Sequence, residues 1–159
     1  TMNDSSNSLI TNEEVGVENT AENRRIYRQM LFEAKTPSYP GLSRKASDFL
    51  SGAILDPETL MQTSTKNGGS GSEFFPQVLM KSGIIPGVKP HLKVYALPGT
   101  GGDTVMQGLD SLAARLSTYY QQGARFTKWR APLEVDIAEG KPTRFAIEAN
   151  MKDLARYIY

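Results

Sequence analysis

The chain is 159 residues long with 18 Lys+Arg against 17 Asp+Glu, enough for one domain and without the net charge that draws a protein to nucleic acid or a membrane surface. It has no cysteine and one histidine, His91, which excludes a disulfide scaffold, a thiolate or histidine-cluster metal site and a cysteine nucleophile, and which fits a reducing compartment. No apolar run approaches the roughly 18 residues of a membrane span, and the polar, acidic start "TMNDSSNSLITNEE" argues against an attached signal or transit peptide.

"NTAENRRIYRQMLFEA" predicts a helix capped by Asn19 or Thr20, with an apolar stripe of Ile26 and Met30 and, more loosely, Leu31 and Ala34. The loop "KTPSYPGLSRK", with two prolines and a glycine, ends it. "DFLSGAIL" is a short apolar strand, closed by Asp56-Pro57, an N-cap followed by proline at the first helical position. "TSTKNGGSGSEF" reads as a flexible loop. A second apolar strand, "SGIIPGVK", ends in Lys89, and its internal proline points to an edge or a bulge.

"PGTGGDT" has the glycines of a phosphate loop but neither P-loop nor dinucleotide spacing, and reads as a turn. "DTVMQGLDSLAARLSTYYQQG" is the clearest helix: Val105, Leu109, Leu112, Leu116 and Tyr119 recur at helical spacing, and Gly123 closes it. The third strand is "RFTKWR", and "NMKDLARYIY" begins a further helix. The glutamates of "TNEEVGVE" and "EVDIAEG" read as solvated surface, Tyr119 and Tyr120 as split between core and rim, and Trp129 as packed under helices.

Three apolar strands separated by helices predict consecutive βα units, hence a parallel sheet covered on both faces. In "GARFTKWRAPL" strand alternation puts Phe126, Lys128 and Arg130 on one side and Thr127 and Trp129 on the other. On an exposed edge the two cations only solubilise; in an interior strand they need an anion. Ligands of parallel α/β folds bind at the C-terminal ends of the strands, where Lys89, Lys128 and Arg130 would make a cationic pocket suited to phosphate.

The blocks "ENTAENRRIYRQMLF", "SGAILDPETLMQ", "IIPGVK", "QGLDSLAARLSTYYQQGARFTKWR" and "LARY" together resemble the class I fructose-bisphosphate aldolases, in the family's order and near its spacing. The 39-residue interval from Lys89 to Lys128 matches the family's interval between its corresponding lysines. "YYQQGARF" and "LPGTGGDT" are similar to plastid-type members, so the resemblance implies a cytoplasmic or plastid setting. The implied fold is α/β: a partial (β/α)8 barrel of about three consecutive βα units, residues 19–159 after a divergent segment 1–18. A complete barrel takes about 250 residues.

The resemblance implies reversible cleavage of fructose 1,6-bisphosphate into dihydroxyacetone phosphate and glyceraldehyde 3-phosphate, through a lysine Schiff base, without metal or other cofactor. It implies a phosphorylated sugar and a homo-oligomeric assembly as partners. By correspondence Lys128 assists charge stabilisation and proton transfer, Arg24 binds substrate phosphate, Lys89 lies near the other triose's phosphate, and Arg130 lies beside it. The Schiff-base lysine and the acid–base glutamates have no counterpart in these residues. "MNDSSNS" aligns with the family's "MDES" only across a gap, with Asn3 at the catalytic aspartate, and "LITN" replaces the basic pair that follows. His91 falls at a usual aspartate and reads as a loop residue. The alternative is a truncated, non-catalytic relative that binds a sugar phosphate or a protein partner.

Overall fold

The structure, a computed structural model, describes residues 2–4, 16–34, 46–65 and 72–159. Residues 5–15, 35–45 and most of the GGSGS stretch lie outside the described residues, and with them the expectations for "KTPSYPGLSRK" and "LITN". Two units are recognisable, residues 1–89 with 118–127, and residues 90–117 with 128–159.

The first unit holds a four-stranded parallel sheet. Strand β1 (Met2–Asn3) pairs with β2 (Gly52–Leu55), β2 with β5 (Ile85–Val88), and β5 with β8 (Phe126–Thr127). The three apolar runs therefore become parallel strands as expected, with β1 added at one edge. No closed barrel exists among the described residues; the sheet is a partial barrel.

Proline does not demote β5, which is interior. Backbone groups alternate sides along a strand. The N–H groups of Ile85 and Lys89 donate to Ser51 and Leu55 on the β2 side, so Pro86 turns toward β8. There its carbonyl accepts from Arg125, and the β8 ladder pairs only Gly87 and Val88, so the missing donor interrupts no bond.

Helix α1 (Ala21–Phe32) is capped by Thr20, whose side-chain oxygen accepts from the Asn23 N–H at 3.1 Å. Its buried face is not the expected apolar stripe. Arg28 and Phe32 are buried, while Ile26, Met30 and Leu31 are exposed. Residues two apart lie about 200° apart around a helix, so turning Arg28 inward turns Ile26 and Met30 outward. Helix α2 (Pro57–Met61) begins as expected, with Asp56 accepting from the Glu58 N–H at 3.1 Å. The ends of the glycine-serine loop are not simply flexible: β3 (Thr63–Ser64) and β4 (Glu73–Phe74) pair antiparallel and lead into helix α3 (Phe75–Lys81).

Phe32, Leu55, Leu60, Phe75, Leu79, Ile84 and Val88 form the core of this unit, with Phe32 edge-on to Phe75 at 5.2 Å. Burial of such side chains contributes about 1.5–3 kcal/mol each before entropy is counted.

In the second unit β6 (Val94–Ala96) and β7 (Thr104–Met106) form an antiparallel hairpin. "PGTGGDT" is its turn, with Gly99, Gly101 and Gly102 at positive φ. This corrects the long helix expected from Asp103. Thr104–Met106 is strand, and helix α4 runs only over Leu112–Gln121, so Val105 and Leu109 precede it. Gly123 does end the helix, at φ +108°. Helix α5 (Arg144–Ile158) starts earlier than "NMKDLARYIY": Thr143 caps it, accepting from the Ala146 N–H at 3.2 Å. Asp103 accepts from the backbone N–H and hydroxyl of the same threonine, tying the hairpin to the helix. Trp129 packs against Tyr157 of α5 with ring centroids 5.1 Å apart, and loop residue His91 meets its edge at 6.2 Å. Tyr120 is exposed beneath the Arg125 guanidinium, whereas Tyr119 is half-buried.

Candidate active site

Every strand of the parallel sheet is followed directly by a charged residue. Asp4 follows β1, Asp56 follows β2, Lys89 follows β5 and Lys128 follows β8. These are the C-terminal ends, where loops can change without disturbing the sheet and where parallel α/β folds place their chemistry.

Within the first unit three of them meet. Asp4 is buried, its backbone N–H continuing the ladder to the Ile54 carbonyl at 2.7 Å. Its Oδ2 accepts from Thr59 Oγ1 at 2.6 Å and from Arg28 Nε at 3.0 Å. The Asp56 N–H approaches the same oxygen at 3.4 Å. Lys89 donates from Nζ to the Asp4 carbonyl at 2.7 Å and stands 3.8 Å from an Asp56 carboxylate oxygen. A lysine so held presents its remaining donor capacity to whatever anion enters at the strand ends.

The residue at the strand end is the aspartate itself, while Asn3 belongs to the strand and pairs with Ile54. The two-residue strand that places this aspartate is too short to show a period in the sequence.

Arg24 is committed elsewhere. Its Nε and Nη2 grip the Glu58 carboxylate at 2.9 and 2.6 Å, and Nη1 donates to Asn19 Oδ1 at 2.5 Å. Glu58 also accepts from Arg28 Nη1 at 2.5 Å. Hydrogen bonds from Arg24 foremost, opposed by partial burial and seconded by Arg28, hold the Glu58 carboxyl below its ordinary pKa; Glu58 in turn raises that of Arg24. A phosphate at Arg24 would have to displace this bidentate pair.

Lys128 and Arg130 belong to the second unit, and the cationic trio with Lys89 is a feature of neither unit alone. The strand stops at Thr127, so the alternation that turned both cations to one interior face does not reach them. Lys128 is half-buried and Arg130 exposed, both in irregular backbone. What the ladder does establish is the register of β5 with β8: Gly87 pairs with Phe126 and Val88 with Thr127. Among the described residues, no three His, Asp or Glu side chains group to hold a metal ion.

A profile described as class-I fructose-bisphosphate aldolase, glycolytic, matches residues 1–159, the whole chain. The chain belongs to the class I fructose-bisphosphate aldolases. A probable class 1 fructose-bisphosphate aldolase of Xylella fastidiosa is 47% identical over 143 residues, covering 90% of this chain and 38% of the relative. The cytosolic fructose-bisphosphate aldolase 5 of Arabidopsis thaliana is 43% identical over the same length, which is 36% of that protein. The crystallised Plasmodium falciparum aldolase, in a complex with TRAP and a small-molecule inhibitor, superimposes with a TM-score of 0.80 at 37% identity. That match covers 98% of this chain and 42% of the Plasmodium chain. The aldolase segment thus spans well under half the length of the relatives it matches. Among the described residues no helix is long and apolar enough to cross a membrane.

Proposed function

We propose that this segment supplies the first four strand ends of an aldolase active centre. That centre cleaves fructose 1,6-bisphosphate reversibly to dihydroxyacetone phosphate and glyceraldehyde 3-phosphate, through a Schiff base on a lysine outside these 159 residues. The observation that carries the reading is the row Asp4, Asp56 and Lys89, one residue past each of three adjacent parallel strands. Opposite charges at one sheet edge give a phosphorylated sugar both a proton acceptor and anion-binding groups.

In this reading Asp4 takes the place of the family's catalytic aspartate and exchanges protons with the substrate. Lys89 and Arg130 bind phosphate oxygens, and Lys128 stabilises charge that develops as the carbon–carbon bond breaks and assists proton transfer. Arg24 contributes to phosphate binding by exchanging Glu58 for the phosphate. The working protein is a cytosolic homo-oligomer, as the name of the Arabidopsis relative suggests for its compartment.

The test is Lys128→Met in a complete aldolase carrying this segment. Methionine keeps an unbranched four-atom stem and removes the ammonium, with its charge and its hydrogen-bond donors. Turnover is expected to fall about 100- to 1,000-fold, the usual consequence of removing one transition-state donor, with the far-ultraviolet circular dichroism unchanged. Near-normal turnover would remove Lys128 from the site.

A further inference from the structure

The proposed reaction needs Asp4 to present its carboxylate in one orientation, and the structure shows an unusual device at that position. Helix α1 turns an arginine, not an aliphatic residue, into the unit: Arg28 is 1% exposed. Its Nε donates to Asp4 Oδ2 at 3.0 Å, and its Nη1 donates to Glu58 Oε2 at 2.5 Å and Gln62 Oε1 at 2.8 Å. Arg24, one turn earlier, donates to both oxygens of Glu58, sharing Oε2 with Arg28.

We propose that Arg28 is a positioning residue for the aldolase reaction, a buried guanidinium that clamps the Asp4 carboxylate at the end of β1 and is itself fixed by Glu58 of α2 and by Gln62, which caps that helix. The inference rests on the functional reading of Asp4 given above and extends it to a residue that does not touch substrate.

A buried ion pair is a poor source of stability, since a well-packed apolar pair of similar volume does as well or better. What it supplies is direction. The planar fork of arginine ties one carboxylate oxygen along a defined line. Thr59 Oγ1 reaches the same oxygen from α2, so Oδ2 is triangulated from two helices. Such supporting contacts are what keep a reactive group within a fraction of an ångström of its working geometry. The chain Arg24–Glu58–Arg28–Asp4 alternates sign from the outer face of α1 to the strand end, which keeps each buried charge beside its opposite.

The experiment is a double-mutant cycle in a complete aldolase carrying this segment, using Arg28→Gln, Arg28→Lys and Asp4→Asn with steady-state kinetics and thermal melts. Arg28→Gln should lower kcat about 10- to 100-fold, the scale on which supporting partners of reactive groups act, while KM changes less than about twofold. Arg28→Lys, which keeps the charge and loses the fork, should recover part of that loss. In the Asp4→Asn background Arg28→Gln should add nothing further, because the group it orients is gone. Losses that multiply in the double mutant place the action of Arg28 elsewhere and overturn the inference, while Asp4 keeps its role. Unchanged kcat with a lowered melting temperature makes Arg28 merely structural and overturns it too, as does failure of both Arg28 variants to fold. Normal turnover in Asp4→Asn itself sinks the functional reading on which the inference stands.

Discussion

Gly87 offers a sharp test of how the sheet is packed, because its missing side chain is replaced by a neighbour's ring. It lies in the interior strand β5, paired with Ile54 on one side and Phe126 on the other. A Cβ built on Gly87 would meet Phe126 Cε2 and Cζ at 2.5 Å and Cε1 at 2.7 Å, well inside van der Waals contact. One on Gly52 would meet the same ring at 3.0 Å and the Ile85 carbonyl at 3.1 Å. The phenylalanine therefore lies across both glycines, and it cannot escape a methyl at Gly87 by sliding toward β2.

Overpacking of this kind costs about 1–3 kcal/mol. Gly87 is not among the residues at positive φ, so alanine is not strained there and recovers about 0.4–1 kcal/mol through the unfolded chain. Gly87→Ala is thus expected to destabilise by about 1–2 kcal/mol net. Urea unfolding followed by far-ultraviolet circular dichroism measures it, with Phe126→Leu and the double mutant completing the cycle. Trimming the ring should relieve most of the Gly87→Ala penalty, a coupling of at least about 0.5 kcal/mol. A Gly87→Ala variant as stable as the parent, or penalties that add independently, would refute the packing argument.

Three further outcomes follow from the same structure. Thr143→Ala removes both the cap of α5 and the hydroxyl's bond to buried Asp103, leaving the backbone N–H bond in place, and should cost about 1–2 kcal/mol in urea unfolding. Thr143→Ser should restore most of it, and parity between alanine and threonine would discount the tie. Glu58 has its carboxyl pKa depressed in the folded chain, so its contribution is complete above the unfolded value of about 4.3 and is lost as the pH falls through the lower folded value. Glu58→Gln should therefore be less stable at neutral pH and show a shallower fall of stability below about pH 4.3; parallel curves would count against the Arg24–Glu58–Arg28 network. Borohydride trapping of the 159-residue chain with dihydroxyacetone phosphate should give no adduct by intact mass, and a stoichiometric adduct would place the reactive amine inside the segment.

Local chemistry was legible where a residue needs only its own neighbours. Thr20 caps α1, Asp56 and Pro57 start α2, Gly123 ends α4, and the apolar runs form parallel strands in the expected order. The ordered aldolase-like blocks pointed to the family, and Lys89 and Lys128 were legible as strand-end residues. Tertiary structure alone decided which helix face is buried. A periodic stripe records what a helix is able to bury, whereas Arg28 is buried because its charge is met by Asp4 and Glu58, 24 and 30 residues away along the chain. Thr104–Met106 became strand rather than helix for the same reason: its ladder partner is Val94–Ala96, and no local period announces a partner. The strand at Phe126 stops where its pairing stops, after Thr127, which removes Lys128 and Arg130 from the alternation that sequence reading assumed. Asp4 gained its place from a two-residue strand too short to show a period, positioned by Gly52–Leu55 half a hundred residues later, because pairing and burial are properties of the assembled sheet.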